Sequence, residues 1–185
     1  MAALMDLDSV PFQEAYWEFR VAYDEAELDP ESYWRSVARA AGRNLNAHQI
    51  GQLRRMDIQS WVQPNLAMVA WARLVREGGL KTAVLSNMPA DLLAYLVGPE
   101  SWLPDFDQVT FSCEIHCSKP APEIYRHCLD QLGVTASEAL FIDDREPNIE
   151  GARKVGMHGL LFTDVAGAIK GLHGRYALPA LVPSE

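Results

Sequence analysis

The strongest constraint on the fold is an alternation of short apolar runs with helical patterns, which begins at Pro64 and continues toward the C-terminus. These short runs cover Lys81–Ser86, Gln108–Phe111, Ala139–Ile142 and Gly159–Phe162. The run at Ala139–Ile142 is continuously apolar, as is typical of a strand that is buried on both faces of a sheet. Strands that alternate with helices indicate a mostly parallel sheet with right-handed crossovers. The sequence therefore predicts an α/β protein with a doubly wound, Rossmann-like sheet.

The segment before Pro64 has a different pattern. Aromatic and apolar residues recur at helical spacing after Pro11, Asp29-Pro30 has the composition of a helix start, and Asn46 is a candidate cap for a third helix. Few β-branched residues occur there, and no strand-like alternation is present. We expect an all-helical cap over residues 1–63 and an α/β core over residues 64–185, with residues 1–10 as a possible remnant of a first core strand.

Composition limits the partners of this protein. The 185 residues carry a formal net charge of −9, whereas nucleic acid and anionic membranes are bound by clustered basic residues. No uninterrupted apolar stretch approaches the roughly 20 residues that span a bilayer. Three cysteines without a secretory framework fit a reducing compartment. We expect a cytoplasmic monomer or homodimer that binds neither nucleic acid nor membrane.

Two adjacent carboxylates, Asp143 and Asp144, end the apolar run at Ala139–Ile142. Open α/β sheets bind their ligands at the carboxyl ends of the strands. Neighbouring carboxylates repel each other unless a cation or a proton neutralises them, and Mg²⁺ prefers such oxygen ligands. Helix capping is an alternative explanation for Asp144. The pair predicts a magnesium site at the end of this strand.

Two further segments follow strands of the same predicted sheet. Ser86 and Asn87 end the first run, where a hydroxyl and an amide can hold an oxyanion. They also suit a turn or a helix cap. Lys119 lies in a proline-stiffened loop, where its ammonium group can neutralise a phosphate. The alternative is a surface lysine in a rigid loop.

Taken together, these segments resemble motifs two, three and four of the haloacid dehalogenase superfamily. The segments are Val84-Leu-Ser86-Asn87, Ser118-Lys119-Pro120-Ala-Pro122-Glu123-Ile124-Tyr125 and the run from Phe141 to Met157. The nearest likeness is to the group of sugar-phosphate phosphatases and the phosphatase domain of soluble epoxide hydrolase. The helical start of the chain is similar to the helical cap of that group.

The resemblance implies a role for each candidate residue. Ser86 and Asn87 would hold the phosphoryl oxygens, and Lys119 would steady the nucleophile and the transferring phosphoryl group. Asp144, with Asp143, would hold Mg²⁺. The implied activity is hydrolysis of a small phosphorylated metabolite through an aspartyl-phosphate. Dehalogenation is disfavoured, because those enzymes need no metal.

One motif of the family has no clear counterpart in this sequence. The family places an apolar strand that ends in Asp-x-Asp or Asp-x-Gly-Gly near its start, and the first aspartate is the nucleophile. In one interpretation this motif is absent, and the chain is truncated or a non-catalytic relative that binds a phosphorylated ligand or a partner chain. In the other, Ala2–Met5 is a shortened strand, and Asp6 and Asp8 form the motif.

The first strand matters for the sheet as well as for catalysis. In this family it lies between the strands that end at Leu85 and at Ile142. Adjacent strands are about 4.8 Å apart, so an empty position is too wide for direct hydrogen bonds. We therefore predict that residues 2–6 fill this position, or that the sheet is perturbed or the protein unstable.

Other residues invite weaker interpretations. A zinc site at the cysteines and histidines is disfavoured, because their spacing matches no standard structural site; these residues are Cys113, His116, Cys117, His127 and Cys128. Arg20 and Asp24 are expected to form an ion pair one helical turn apart. The aromatic residues of the first third are expected to form the core of the cap rather than a substrate pocket.

Overall fold

The computed structural model describes residues 1–99 and 101–181, which form α-helices, short 3₁₀ segments and four β-strands. The helices are α1 (Ser9–Glu18), α2 (Arg20–Asp24), α3 (Pro30–Ala40), α4 (Ala47–Trp61), α5 (Leu66–Glu77), α6 (Ala90–Leu96), α7 (Ser112–Ile115), α8 (Pro122–Leu132), α9 (Glu146–Lys154) and α10 (Val165–Leu172). The strands are β1 (Ala83–Ser86), β2 (Gln108–Phe111), β3 (Leu140–Asp143) and β4 (His158–Leu161). The predicted α/β class is confirmed.

The described residues separate into two compact units, and neither is continuous in sequence. The helical unit contains Met1–Gln63 together with Asn87–Gly98 and Ser112–Ser118. The α/β unit contains the remainder of the described chain. The helical unit therefore includes α6 and α7, which follow β1 and β2 in sequence and were not foreseen as parts of it. The predicted boundary after residue 63 stays a prediction.

The helical unit starts its helices as local sequence rules require. The Asp29 carboxylate accepts a hydrogen bond from the backbone N–H of Ser32 at 2.8 Å, and Pro30 occupies the first turn of α3. Asn46 and Gln49 form a reciprocal capping box at the start of α4. The core of this unit is rich in aromatic side chains, and its most buried members are Tyr33, Trp34, Val37 and Leu53.

The conformation of residues 2–5 contradicts one of the two interpretations of the first motif. Ala2–Met5 forms a 3₁₀ helix rather than a strand. Met5 is buried in the hydrophobic cluster of the helical unit, whereas Asp6 is exposed in a left-handed backbone conformation. The proposed compressed strand is therefore wrong for this structure. Its alanine-rich sequence has low strand propensity, and Met5 is buried in the helical cluster, with Ala2 and Leu4 partly buried against it.

In the α/β unit the four strands form two separate parallel pairs. β1 pairs with β2, with Ala83 opposite Gln108, and β3 pairs with β4, with Leu140 opposite His158. Among the residues that the structure describes, no strand joins the two pairs. The parallel pairing agrees with the predicted Rossmann-like class. Because residues 2–5 do not form a strand, the division into two pairs corresponds to the perturbed sheet that was the alternative to a strand from residues 2–6.

The strands of the two pairs are less buried than is usual for a parallel sheet. All four residues of β1 and three of the four residues of β3 are only partly buried. Parallel strands are normally covered on both faces. Helices α5 and α10 contribute the buried core of this unit, in which Ala168 is fully enclosed and Trp71 donates its indole N–H to the carbonyl of Pro179 at 2.9 Å. No helix of the described residues is long and apolar enough to cross a membrane.

Candidate functional site

Lys119 is the centre of the candidate site. Its Nζ lies 2.9 Å from the backbone oxygen of Leu85 at the end of β1, and 2.7 Å from Oδ2 of Asp143 at the end of β3. The side chains of Lys119 and Asp143 are only 8% and 7% exposed. Nζ also lies 5.4 Å from the centroid of the Phe141 ring. The lysine therefore connects the two strand pairs through a single ammonium group, and it is not a surface residue.

Asp143 has its hydrogen-bonding capacity largely filled by the protein. Besides Lys119 on Oδ2, its Oδ1 accepts hydrogen bonds from Nδ2 of Asn148 at 2.8 Å and from the backbone N–H of Arg145 at 2.9 Å. The sequence argument held that paired carboxylates need a cation. For Asp143 that cation is Lys119, because opposite charge at this distance stabilises the carboxylate. The role of Asp143 as a metal ligand stays a prediction.

The loop and helix that follow β3 are supported by close packing. The hydroxyl of Tyr125 donates to the backbone oxygen of Asn148 at 2.8 Å, and its ring meets Phe141 edge to face. A Cβ atom added to Gly151 on α9 would lie 2.8 Å from the carbonyl oxygen of Pro120 and 2.8 Å from the Tyr125 hydroxyl. Only glycine allows α9 to approach the Lys119 loop this closely. A glycine inside a helical pattern was the available sequence signal for this contact.

Three other predicted site residues are Ser86, Asn87 and Asp144. Ser86 ends β1 and is half-buried. Asp144 follows β3 and is exposed. Asn87 belongs to the helical unit. The structure thus joins Lys119 to Asp143 directly, while the roles of Ser86, Asn87 and Asp144 stay predictions.

Of the two carboxylates at the end of β3, only one is well suited to bind magnesium. Mg²⁺ is commonly held by one or two carboxylates together with water and substrate phosphate. The described residues contain no cluster of three or more acidic, histidine or cysteine side chains that could hold a metal. Because Asp143 is already engaged, the exposed Asp144 is the carboxylate best suited to a cation. The residues fit a magnesium ion that also needs water and a phosphate group.

A second buried polar cluster lies wholly within the helical unit. The predicted Arg20–Asp24 pair is present, with Nε of Arg20 2.8 Å from Oδ1 of Asp24, and Asp57 lies 3.3 Å from the same guanidinium group. Arg20 and the Tyr16 hydroxyl are also hydrogen-bonded. Burial, opposed by the charge of Arg20, raises the pKa of Asp24 to about 6. Burial likewise raises the pKa of Asp57.

The aromatic residues of the helical unit divide into two groups. The prediction that they form the cap's own core is confirmed for Tyr16, Tyr23, Tyr33 and Trp34, which are buried. Trp17 and Trp61 remain 49% and 48% exposed, and they contact each other edge to face. The indole N–H of Trp61 donates hydrogen bonds to the Tyr16 hydroxyl and to Asp57, and the guanidinium group of Arg20 lies over its ring.

The cysteines do not form a common centre. Cys113 and Cys128 are buried, as expected for structural thiols, and burial raises the pKa of Cys113 to about 11. His116 is exposed and its Nδ1 lies 2.7 Å from the backbone oxygen of Glu25. Because a carbonyl only accepts, Nδ1 carries the proton.

Fold and site together define an α/β protein with a lysine–carboxylate centre at the carboxyl ends of its strands. A model of the haloacid dehalogenase-like hydrolases matches residues 4–156. The chain belongs to this family, as the sequence motifs predicted.

The chain is also similar in sequence to several curated proteins. The chain is 36% identical over 57% of its length to mouse acyl-CoA dehydrogenase family member 10, and 32% identical over 58% to rat bifunctional epoxide hydrolase 2. It spans only 10% and 20% of those two proteins. It is also 26% identical to the sesquiterpene phosphatase astK of Aspergillus oryzae, over 88% of this chain and 79% of that protein.

Solved structures agree on the fold. A HAD-like family hydrolase from Porphyromonas gingivalis superposes with a TM-score of 0.63 at 18% identity, over 83% of this chain and 78% of that one. A HAD family enzyme from Bacteroides thetaiotaomicron, in complex with magnesium and inorganic phosphate, gives 0.61 at 18% identity, over 83% and 86%. At this identity the likeness establishes the fold alone.

Proposed function

We propose that this protein is a phosphomonoester hydrolase that uses Mg²⁺ and acts on a small phosphorylated metabolite in the cytoplasm. The observation that carries the proposal is the fixed position of Lys119 beside Asp143, at the carboxyl ends of β1 and β3. An ammonium group held in place before substrate arrives can stabilise a phosphoryl group without reorganising. The names of the fungal relative, a sesquiterpene phosphatase, and of the bacterial magnesium and phosphate complex support the same chemistry.

Each residue of the site has a role in this proposal. The Ser86 hydroxyl donates a hydrogen bond to a phosphoryl oxygen, and Lys119 neutralises part of the phosphoryl charge. Asp143 holds the ammonium group of Lys119 in position, assisted by Asn148. Asp144 holds Mg²⁺, which supplies further positive charge at the phosphoryl oxygens when bound. The role of Asn87, which belongs to the helical unit, stays a prediction.

The nucleophile is the remaining requirement. The family route through an aspartyl-phosphate needs a carboxylate from a first strand. Among the described residues no strand lies between the two parallel pairs, and Asp6 follows a 3₁₀ helix and is exposed. We therefore expect Asp6→Asn to leave any phosphatase activity unchanged. Loss of turnover in this variant would identify Asp6 as the nucleophile.

Two measurements on the purified chain test the proposal. Hydrolysis of p-nitrophenyl phosphate is followed with Mg²⁺ and with EDTA, and binding of inorganic phosphate is followed by calorimetry. We expect both to require Mg²⁺ and to be strongly reduced in Asp144→Asn, with Asp130→Asn on α8 as the matched exposed control. Absence of turnover and of phosphate binding in the unchanged chain would refute the proposal. Phosphate binding without turnover would identify a non-catalytic phosphate-binding member, which the comparisons do not support at present.

A further inference from the structure

Helix α1 carries apolar side chains on two opposite faces. Phe12, Ala15 and Tyr16 are buried in the helical unit, whereas Val10 and Trp17 lie seven positions apart on the other side of the helix and are exposed. Only one of these faces is needed for the core of the unit. Large apolar side chains that gather on an exposed face, with polar groups around them, mark interaction sites.

Trp17 contacts a second exposed tryptophan that the protein holds in place. The ring of Trp61, at the end of α4, meets the ring of Trp17 edge to face, with 6.4 Å between the ring centroids. The indole N–H of Trp61 is bound by Tyr16 and Asp57, and the guanidinium carbon of Arg20 lies 5.4 Å from its ring centroid. An aromatic group that is fixed before a partner arrives loses little conformational freedom on binding.

The charge around this aromatic pair has a single sign. Glu14 lies one helical turn before Trp17, Glu18 follows it directly, and both carboxylates are exposed. Neither takes part in a salt bridge within residues 1–99 and 101–181. The first 31 residues contain nine acidic residues and one basic residue, Arg20, which is buried in an ion pair. The exposed apolar groups are therefore surrounded by negative charge that the helical start of the chain does not neutralise.

We propose that this surface binds a basic amphipathic helix of a partner protein. We call it the tryptophan surface, and it comprises Val10, Glu14, Trp17, Glu18, Val21 and Trp61. The apolar face of the bound helix covers the tryptophan and valine side chains, as in other complexes that bind an amphipathic helix. Its lysine and arginine residues pair with Glu14 and Glu18, and an arginine placed over the ring of Trp17 adds a cation–π contact.

Charge distinguishes this partner from the other candidate occupants. A second copy bound through the same surface would bring Glu14 and Glu18 close to the equivalent carboxylates of the other subunit, because a twofold interface uses one patch on both subunits. Like charges brought together in this way oppose association. Nucleic acid and anionic membranes are disfavoured for the same reason. The inference rests on the helical unit and is independent of the proposed hydrolysis.

A pair of peptides tests the chemistry of the occupant. The probe is a fluorescein-labelled peptide, Lys-Leu-Ala-Arg-Leu-Leu-Lys-Arg-Leu-Ala-Lys-Leu-Leu-Arg-Lys, whose leucines lie on one face of a helix. Binding to the purified chain is measured by fluorescence polarisation. The control peptide has glutamate at every lysine and arginine position and keeps the same apolar face. We expect binding of the basic peptide only, with an affinity that falls as the salt concentration rises.

Two pairs of variants test the location of the binding surface. Glu14→Lys should weaken binding of the basic peptide about fivefold, whereas Glu77→Lys on α5 changes the net charge equally and should alter binding by less than about twofold. Trp17→Ala should weaken binding about tenfold, whereas Tyr95→Ala, which removes another exposed aromatic side chain of the helical unit, should leave it unchanged. All four residues are exposed, so we expect each variant to fold.

NMR spectra of the tryptophan indole groups report on the contact directly. The indole N–H signals of Trp17 and Trp61 should shift when the basic peptide is added. The signal of Trp71, which is buried in the α/β unit with its N–H bound to a backbone carbonyl, should stay in place.

The proposal is overturned if the basic peptide does not bind at about 1 mM, if both peptides bind equally, or if the two members of either variant pair behave alike. Shifts of the Trp17 and Trp61 signals that appear without peptide as the protein concentration rises would also overturn it, because they would assign the surface to a second copy. Sedimentation velocity at the same concentrations identifies this last case.

Discussion

Replacing Lys119 by methionine is the most direct test of how the two strand pairs are held together. Methionine keeps a long, flexible, apolar side chain of similar reach, and it removes only the ammonium group. The change separates the contribution of the charge and its hydrogen bonds from that of packing beside Phe141.

The expected cost follows from the partners that remain. Asp143 would keep its hydrogen bonds from Asn148 and from the backbone of Arg145, but this 7% exposed carboxylate would lose the ammonium group that lies 2.7 Å away. The Leu85 carbonyl would lose the donor at 2.9 Å. Breaking a buried ion pair by removing one partner costs roughly 3–5 kcal/mol. Water that enters beside the partly exposed strands offsets part of this, so we expect a loss of about 3 kcal/mol.

Urea unfolding followed by tryptophan fluorescence measures this loss as a lower midpoint at an unchanged slope. The matched control is Lys170→Met on α10, where the lysine is exposed, and it should change the stability by less than about 0.5 kcal/mol. A double-mutant cycle with Asp143→Leu should give a coupling energy above about 1 kcal/mol.

If Lys119→Met lowers the midpoint no more than Lys170→Met does, the lysine does not connect the strand pairs. In that case the argument from its burial would be refuted. An intact midpoint together with lost phosphate binding would limit Lys119 to a role in the site.

Two further variants test other contacts, each against a matched control. Gly151→Ala should destabilise the protein by about 1–3 kcal/mol, since its Cβ would meet Pro120 at 2.8 Å. The control Gly51→Ala in α4, with a nearest contact of 3.6 Å, should stabilise the protein. Equal effects of the two variants in thermal melts would contradict this. The pKa of Asp24 is raised to about 6 in the folded state, so its stabilising contribution is complete below about pH 4 and is lost as the pH rises through 6. Asp24→Asn should reduce this fall in urea midpoints measured between pH 4 and 7, with Asp57, whose pKa burial also raises, contributing the remainder. The exposed Asp8→Asn should keep the whole fall, and an unchanged pH profile in Asp24→Asn would refute the assignment.

Local patterns predicted much of the fold. The starts of α3 and α4 agree with the sequence expectations, because Asp29, Pro30 and Asn46 define them locally. The break between α1 and α2 at Phe19 was not predicted, and neither was α7. Their sequences have no strong stop or start signal, and neighbouring elements decide their conformation.

The buried cluster around Arg20 shows which contacts sequence spacing cannot predict. Spacing predicted the pair with Asp24, because residues four apart meet on a helix. It gave no indication of Asp57, which lies 37 positions away in sequence and 3.3 Å from the guanidinium group. Only tertiary packing brings the second carboxylate to the cluster, and burial then raises its pKa.

The sequence alone determined the family, the α/β class and the identity of the residues at the strand ends, because these depend on local spacing and residue type. Tertiary structure decided that Lys119 neutralises Asp143, that the strands form two pairs and that Ala2–Met5 is not a strand. Pairing between strands and charge neutralisation depend on which distant segments lie side by side. A short apolar segment such as Ala2–Met5 can pair or pack, and the structure shows that it packs on helices.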